Sequence, residues 1–222
     1  METSVKLIAM TAPVETWAGN FPPRRYGAQD LVVYCARVSN PKNQEHFDTG
    51  PKLLKYLIDH EHWSPFEMVN LVFEVKTSRD ISRQILRHQL KFQEFSQRYA
   101  EVEQEWIYRE ARLQDPKNRQ NSIEIDDNVL QHEWDRKQKK VIETAWESYR
   151  WALNMGIAKE QARTVLPEGL TLSTLYINGY LRNWIHYTQL RMKKGTQKEH
   201  RMIATEVHNI LVKEFPALEG LI

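Results

Sequence analysis

Leu31, Val32, Cys35 and Val38 recur at intervals that put side chains on one side of a helix, and they predict a helix over residues 28–38. Pro41 prevents its continuation. Leu53, Leu54, Leu57 and Ile58 give a second buried stripe over 53–60. Residues 4–10 read as a first strand, and 70–75, with Leu71, Val72, Phe73 and Val75, as a core strand. That strand feeds a helix over 79–89, with Ser78 as N-cap, Asp80 in the first turn and Ile81, Ile85 and Leu86 on the apolar side. Residues 102–108 are read as a strand. The longest periodic run is 129–155, where Leu130, Trp134, Val141, Ala145, Tyr149, Ala152 and Leu153 predict a long amphipathic helix closed by Gly156. Its basic run, 136–140, reads as a solvated face. A short helix over 158–166 ends at Pro167, another spans 180–191, and Thr196 caps a last one through Lys213. Pro22 and Pro23 make 20–27 a loop; Pro116, Asn118 and Asn121 make 113–127 a surface excursion.

Composition narrows the class without naming a function. The 222 residues suit one domain, and 41% hydrophobic with 27% charged residues is ordinary for a soluble globular chain. A net charge of +2 supplies no global field toward nucleic acid or membrane. No apolar run reaches membrane-helix length and no signal-peptide core is visible; with the single Cys35, this predicts a reducing, cytoplasmic setting. Cys35 lies on an apolar stripe without an activating neighbour and reads as core. His60 and His62 lack a third ligand nearby, so no metal is expected. Ser96 has no His-Asp partner pattern and reads as a hydrogen-bonding group rather than a nucleophile. Gly-x-Gly-x-x-Gly and Gly-Lys-Ser/Thr loops are both absent.

The chemistry concentrates in 83–99. On a helix, Gln84, Arg87 and His88 would share a face. Beyond it, Gln93, Glu94, Ser96, Gln97 and Arg98 stand among Phe92, Phe95 and Tyr99, a density of polar heads and rings suited to a flat, phosphorylated molecule. A second set lies on the 180–191 segment, where Arg182, His186 and Gln189 form one polar stripe on an otherwise bulky helix and suggest a lined cavity. Arg87, Arg98, Arg163, Arg182 and Arg191 exceed the needs of one monophosphate and suggest a nucleotide plus a dinucleotide cofactor. By composition alone, 83–99 is a solvated basic helix and a loop. A single-strand nucleic-acid binder stacking bases on the same rings is a further reading, and the near-neutral charge opposes it.

The order of residues carries more. Arg87-His88 followed by Glu94-x-Ser96-x-Arg98-Tyr99 resembles the signature of the flavin-dependent thymidylate synthases. Ala36-Arg37-Val38-Ser39, His62-x-Ser64-Pro65-Phe66-Glu67, Ala162-Arg163-Thr-Val-Leu-Pro167, Arg182, Leu190-Arg191 and Gln197 resemble further segments of that family. The chain departs from its pattern in four places. Gln89 replaces an arginine and the turn before Ser96 is one residue shorter; Tyr180 and His186 stand where asparagines are common, with Asn178 a possible substitute for the first.

The resemblance implies an α+β subunit over 1–222, with a mixed sheet, several helices including the long one, and assembly as a homotetramer with shared active sites. It implies methylation of dUMP to dTMP with methylenetetrahydrofolate as one-carbon donor, FAD as cofactor and NADPH as reductant. By the match, Arg191 is the catalytic cation beside the pyrimidine imide. Gln84, Arg87, Glu94, Ser96, Gln97 and Arg98 hold dUMP, with Arg163 from a neighbouring subunit. Ser39, Ser64, Glu67, Arg87, His88, Gln89, Glu94, Tyr180, Arg182 and His186 hold FAD, and His62 lies near flavin and folate. A relative that binds flavin or nucleotide without methylating is the rival that Gln89 and the shortened turn motivate.

Overall fold

A computed structural model describes residues 3–14 and 27–222. The loop expected over 20–27 lies outside them except for Gly27. The elements in chain order are β1 (Ser4–Met10), α1 (Ala28–Ala36), α2 (Gly50–Asp59), β2 (Asn70–Ser78), α3 (Arg79–Ile85), β3 (Lys91–Glu94), β4 (Arg112–Gln114), β5 (Ser122–Glu124), α4 (Asn128–Asn154), α5 (Lys159–Ala162), β6 (Leu172–Tyr180), α6 (Leu181–Arg191) and α7 (Lys198–Glu214).

Strands β1, β2, β6 and β3 form one sheet in that spatial order, and every pairing is antiparallel. The expected mixed sheet is therefore corrected to an antiparallel one, within an α+β fold. β2 and β6 are paired along their full length, from Asn70 opposite Tyr180 to Ser78 opposite Leu172. Alternation sorts their side chains: Leu71, Phe73 and Val75 meet Leu175 and Ile177 on the buried face, while Glu74, Lys76 and Tyr176 lie on the other. The buried face takes α6 and α7: Trp184, Ile185, Ile203, Val207 and Leu211 complete the main core. Burying each such side chain contributes about 1.5–3 kcal/mol. A second apolar cluster, Val102, Trp106, Ile142, Tyr149, Ala152 and Ala162, seats α4 on the 102–107 segment. There the Val102 N–H donates to the Tyr149 hydroxyl at 3.0 Å.

Capping chemistry explains the long helix. Asp127 accepts from the N–H groups of Val129 and Leu130, and Gly156, at φ 77°, lets Ile157 N–H return to the Ala152 carbonyl at 2.9 Å. The basic run on α4 faces water except Gln138, whose amide clamps the backbone N–H and C=O of Arg109 at 2.8 and 2.9 Å.

Local expectation fails where tertiary pairing intervenes. α3 stops at Ile85 because the chain turns to bring β3 onto β6, with Phe92 opposite Ile177. Residues 102–108 form no strand; Trp106 makes an isolated β-bridge to Thr171. The 113–127 excursion contains most of the β4–β5 hairpin, 172–180 is a nine-residue strand, and α6 therefore begins at Leu181, with Tyr180 as its N-cap. α7 starts after Gln197 rather than at Thr196, and the short 158–166 helix is α5 followed by a tighter turn, Arg163–Val165. No helix among the described residues is long and apolar enough to cross a membrane.

Candidate active site

Two polar clusters flank α6. The first joins the turn after α3 to the end of α6: the Arg191 Nε donates to His88 Nε2 at 2.8 Å. Tyr187, one turn before Arg191, sets its ring edge-on to His88 at 4.9 Å, and His200 from α7 lies 6.0 Å from His88 and 5.7 Å from Tyr187. Burial, with the Arg191 charge second, pushes His88 down to about 4, so it accepts as a neutral imidazole. Burial, then Arg191 and His88, pushes His200 down to about 3. The Tyr187 phenol is raised by burial, against Arg191. Tyr187 Oη and His200 Nε2 are buried without a hydrogen-bond partner among the described residues.

Gln84 extends this cluster. Its Nε2 donates to Gln197 Oε1 at 2.7 Å, and its Oε1 faces His200 Nδ1 at 3.3 Å. Gln197 Nε2 donates to Glu199 at 2.9 Å. Arg112 donates to the same carboxylate and Arg109 pairs with it at 3.4 Å. Burial opposes ionisation of Glu199, but the Arg112 and Gln197 hydrogen bonds and the Arg109 charge hold its carboxyl below the ordinary value.

The second cluster lies at the start of α6. Arg182 donates to Glu67, and the His186 ring meets Trp63 edge-on at 4.4 Å. Arg182 and His186 of the predicted polar stripe thus meet Glu67 and Trp63 instead of facing water alone. Burial, then Arg182, lowers His186, with Glu61 opposing. Ser64, His62 and Tyr180 are exposed around it, and His60 stacks on Tyr56 at 4.0 Å. Arg182 and Arg191 are nine residues apart on one helix, about half a revolution out of step, so they leave α6 on opposite sides.

Glu94 forms a third node. β3 pairing carries its Oε1 to the hydroxyls of Ser82 at 2.6 Å and Ser173 at 2.9 Å, with Arg79 at 3.8 Å, while its Oε2 lies 3.9 Å from Arg83. Arg79 is only 7% exposed. Both oxygens of Glu94 thus meet protein partners, Oε1 the two hydroxyls and Arg79, Oε2 Arg83. Gln97 is buried, and its Nε2 has no partner among the described residues. Arg98 pairs with Glu160 at 3.3 Å and lies 5.8 Å over the Tyr99 ring, so the Glu160–Arg163 bridge suggested by spacing is replaced by Glu160–Arg98. Arg87, Gln89 and Ser39 are exposed, Ser96 and Arg163 half-buried. Within this chain, Arg87, Arg98 and Arg191 do not close on one point: Arg191 turns inward to His88, Arg98 outward to α5. Sequence reasoning missed Trp63, Arg79, Tyr187, Glu199 and His200. Arg79 and Glu199 carried the only usable signal, charge on helices whose other faces are core.

Residues 24–217 match the family described as thymidylate synthase complementing protein. A probable flavin-dependent thymidylate synthase of Paramecium bursaria Chlorella virus 1 is 46% identical over 97% of this chain and 96% of its own length. A flavin-dependent thymidylate synthase of Synechocystis sp. is 43% identical over 96% of both chains. Among solved structures, a UMP/dUMP methylase, PolB from Streptomyces cacaoi, bound with 5-Br dUMP, superimposes with a TM-score of 0.81 at 26% identity, covering 99% of this chain and 95% of that one. The signature at His88, the matching segment at Arg191, the fold and a match spanning most of the chain agree: this chain belongs to the thymidylate synthase complementing family, that of the flavin-dependent thymidylate synthases.

Proposed function

We propose that this protein methylates dUMP to dTMP, taking the one-carbon unit from methylenetetrahydrofolate and reducing equivalents from NADPH through bound FAD. The observation that carries this reading is the Arg191–His88 pair. A guanidinium stays charged at any working pH, and here its Nε is spent on His88 while its terminal nitrogens remain for a ligand. A fixed cation of this kind stabilises the deprotonated imide of a pyrimidine, which raises electron density at the carbon to be alkylated. Neutral His88 anchors Arg191 without competing charge.

The residues present fit the two ligands. Gln97 offers a buried, unpartnered amide N–H, and Ser96, Arg87 and Arg98 add the hydroxyl and guanidinium donors that a phosphate takes. Arg163, contributed by a second copy, and the amide of Gln84 complete the nucleotide set, and Glu94 Oε2, whose protein contact is Arg83 at 3.9 Å, accepts from it. For the flavin we assign Ser39, Ser64, Glu67, Tyr180, Arg182 and His186, with Arg87, His88, Gln89 and Glu94 on the nucleotide side and His62 beside flavin and folate. When bound, the flavin supplies the hydride chemistry. The opposite exits of Arg182 and Arg191 from α6 favour sites shared between copies, and we propose a homotetramer. Exposed Trp151, Met155 and Val165, at 59%, 62% and 45%, offer apolar surface for such contacts.

The test is turnover. Purified protein should carry flavin absorbance that changes on adding dUMP, and should convert dUMP to dTMP with methylenetetrahydrofolate and NADPH. Flavin binding without product would overturn methylation in favour of a binding-only relative; salt-sensitive oligonucleotide binding without flavin would overturn both.

A further inference from the structure

Glu199 gives the hydrogen bonds beneath the Arg191–His88 pair a single direction. Ionised and held by Arg109 and Arg112, its carboxylate only accepts. Gln197 therefore turns Nε2 toward it and Oε1 toward Gln84. Gln84 must then present its own Nε2 to Gln197, which leaves its Oε1 facing His200. A carbonyl oxygen there demands a donor. From this we infer that His200 is a positioning residue: held as the Nδ1–H tautomer, it fixes the Gln84 amide beside the His88–Arg191 pair.

The assignment accounts for atoms that no other contact explains. With the proton on Nδ1, His200 Nε2 is a bare acceptor, and the unpartnered Tyr187 hydroxyl in the same buried cluster is a donor. The two leftovers are complementary; the other tautomer would bury two donors and set Nδ1's lone pair against a carbonyl oxygen. His200 is 0% exposed, so its side chain acts only through Gln84 and the rings around it. A run of aligned donors that ends on a carboxylate is also cooperatively polarised, which stiffens each member.

Neutron diffraction from crystals of the intact protein at neutral pH tests the tautomer directly. Deuterium is expected on His200 Nδ1 and absent from Nε2, with the Gln84 amide nitrogen toward Gln197; deuterium on Nε2 alone overturns the inference. Glu199→Gln removes the acceptor-only end, so both tautomers should then be occupied, and an unaltered pattern overturns the role given to Glu199. The functional arm rests on the proposed nucleotide site. His200→Asn keeps a donor near the Nδ1 position and should bind dUMP within about twofold of the parent, whereas His200→Leu should bind about fivefold more weakly, the loss of one neutral hydrogen bond. Equal affinities in the two variants overturn the positioning role. Failure of the parent itself to bind dUMP would instead count against the proposed function, leaving the neutron result to decide the tautomer.

Discussion

Arg191 Nε donates to His88 Nε2 across 2.8 Å, tying the last turn of α6 to the turn after α3. A residue 103 positions from His88 is thereby fixed to the signature. The bond also decides protonation: an imidazole that accepts from a guanidinium at this nitrogen carries its proton on Nδ1.

Arg191→Lys keeps the charge but not the fork. One ammonium cannot serve His88 with one nitrogen and a ligand with two others. Turnover of dUMP should fall about ten- to hundredfold, the scale of one charge-assisted hydrogen bond. Thermal unfolding should stay close to the parent. A variant with parental turnover would remove Arg191 from the chemistry.

Glu94→Gln leaves Arg79, buried at 7% exposure, without its counter-charge. Ser82 and Ser173 would also lose a charged acceptor. The expected cost is about 2–4 kcal/mol in urea unfolding. A change below about half a kcal/mol would show that the serine contacts carry little.

Gly179→Ala drives a methyl group against Leu90 Cδ2, 2.2 Å from where the new Cβ would sit, and against Trp184 Nε1 at 3.2 Å. Leu90 can swing, but it follows the turn that holds His88 and Gln89. A destabilisation of about 1–3 kcal/mol is expected, the range for overpacking. Leu90→Ala in the same chain should relieve part of it, so the double mutant should be more stable than additivity predicts. Strict additivity would place the strain elsewhere.

Acid should weaken the fold before the carboxylates titrate. His88 and His200 have native values of about 4 and about 3 against an ordinary 6.5, so the unfolded chain binds more protons between those limits. Their contribution is complete above about pH 6.5 and is lost as pH falls toward 4 and 3. The thermal midpoint should drop steadily below pH 6.5, and His200→Leu should show a shallower slope there. A midpoint flat down to pH 4.5 would contradict the burial of both rings.

The main helices, the first strand and the core strand β2 were legible because hydrophobic period and local caps act within a few residues. Asp127 and Gly156 bound α4 by contacts made inside the helix itself. The signature around Arg87, His88 and Glu94–Tyr99 was legible as an order of residues, and with it the family. Only the tertiary structure decided that the sheet is antiparallel and that α3 ends at Ile85: both follow from β3 and β6 pairing over some eighty residues of sequence. Only it decided that Glu94 serves Ser82 and Ser173, that Arg98 pairs with Glu160, and that Gln84, Gln197, Glu199 and His200 form one directed chain. Periodicity states which face of an element is buried; it is silent on which distant group that face will meet.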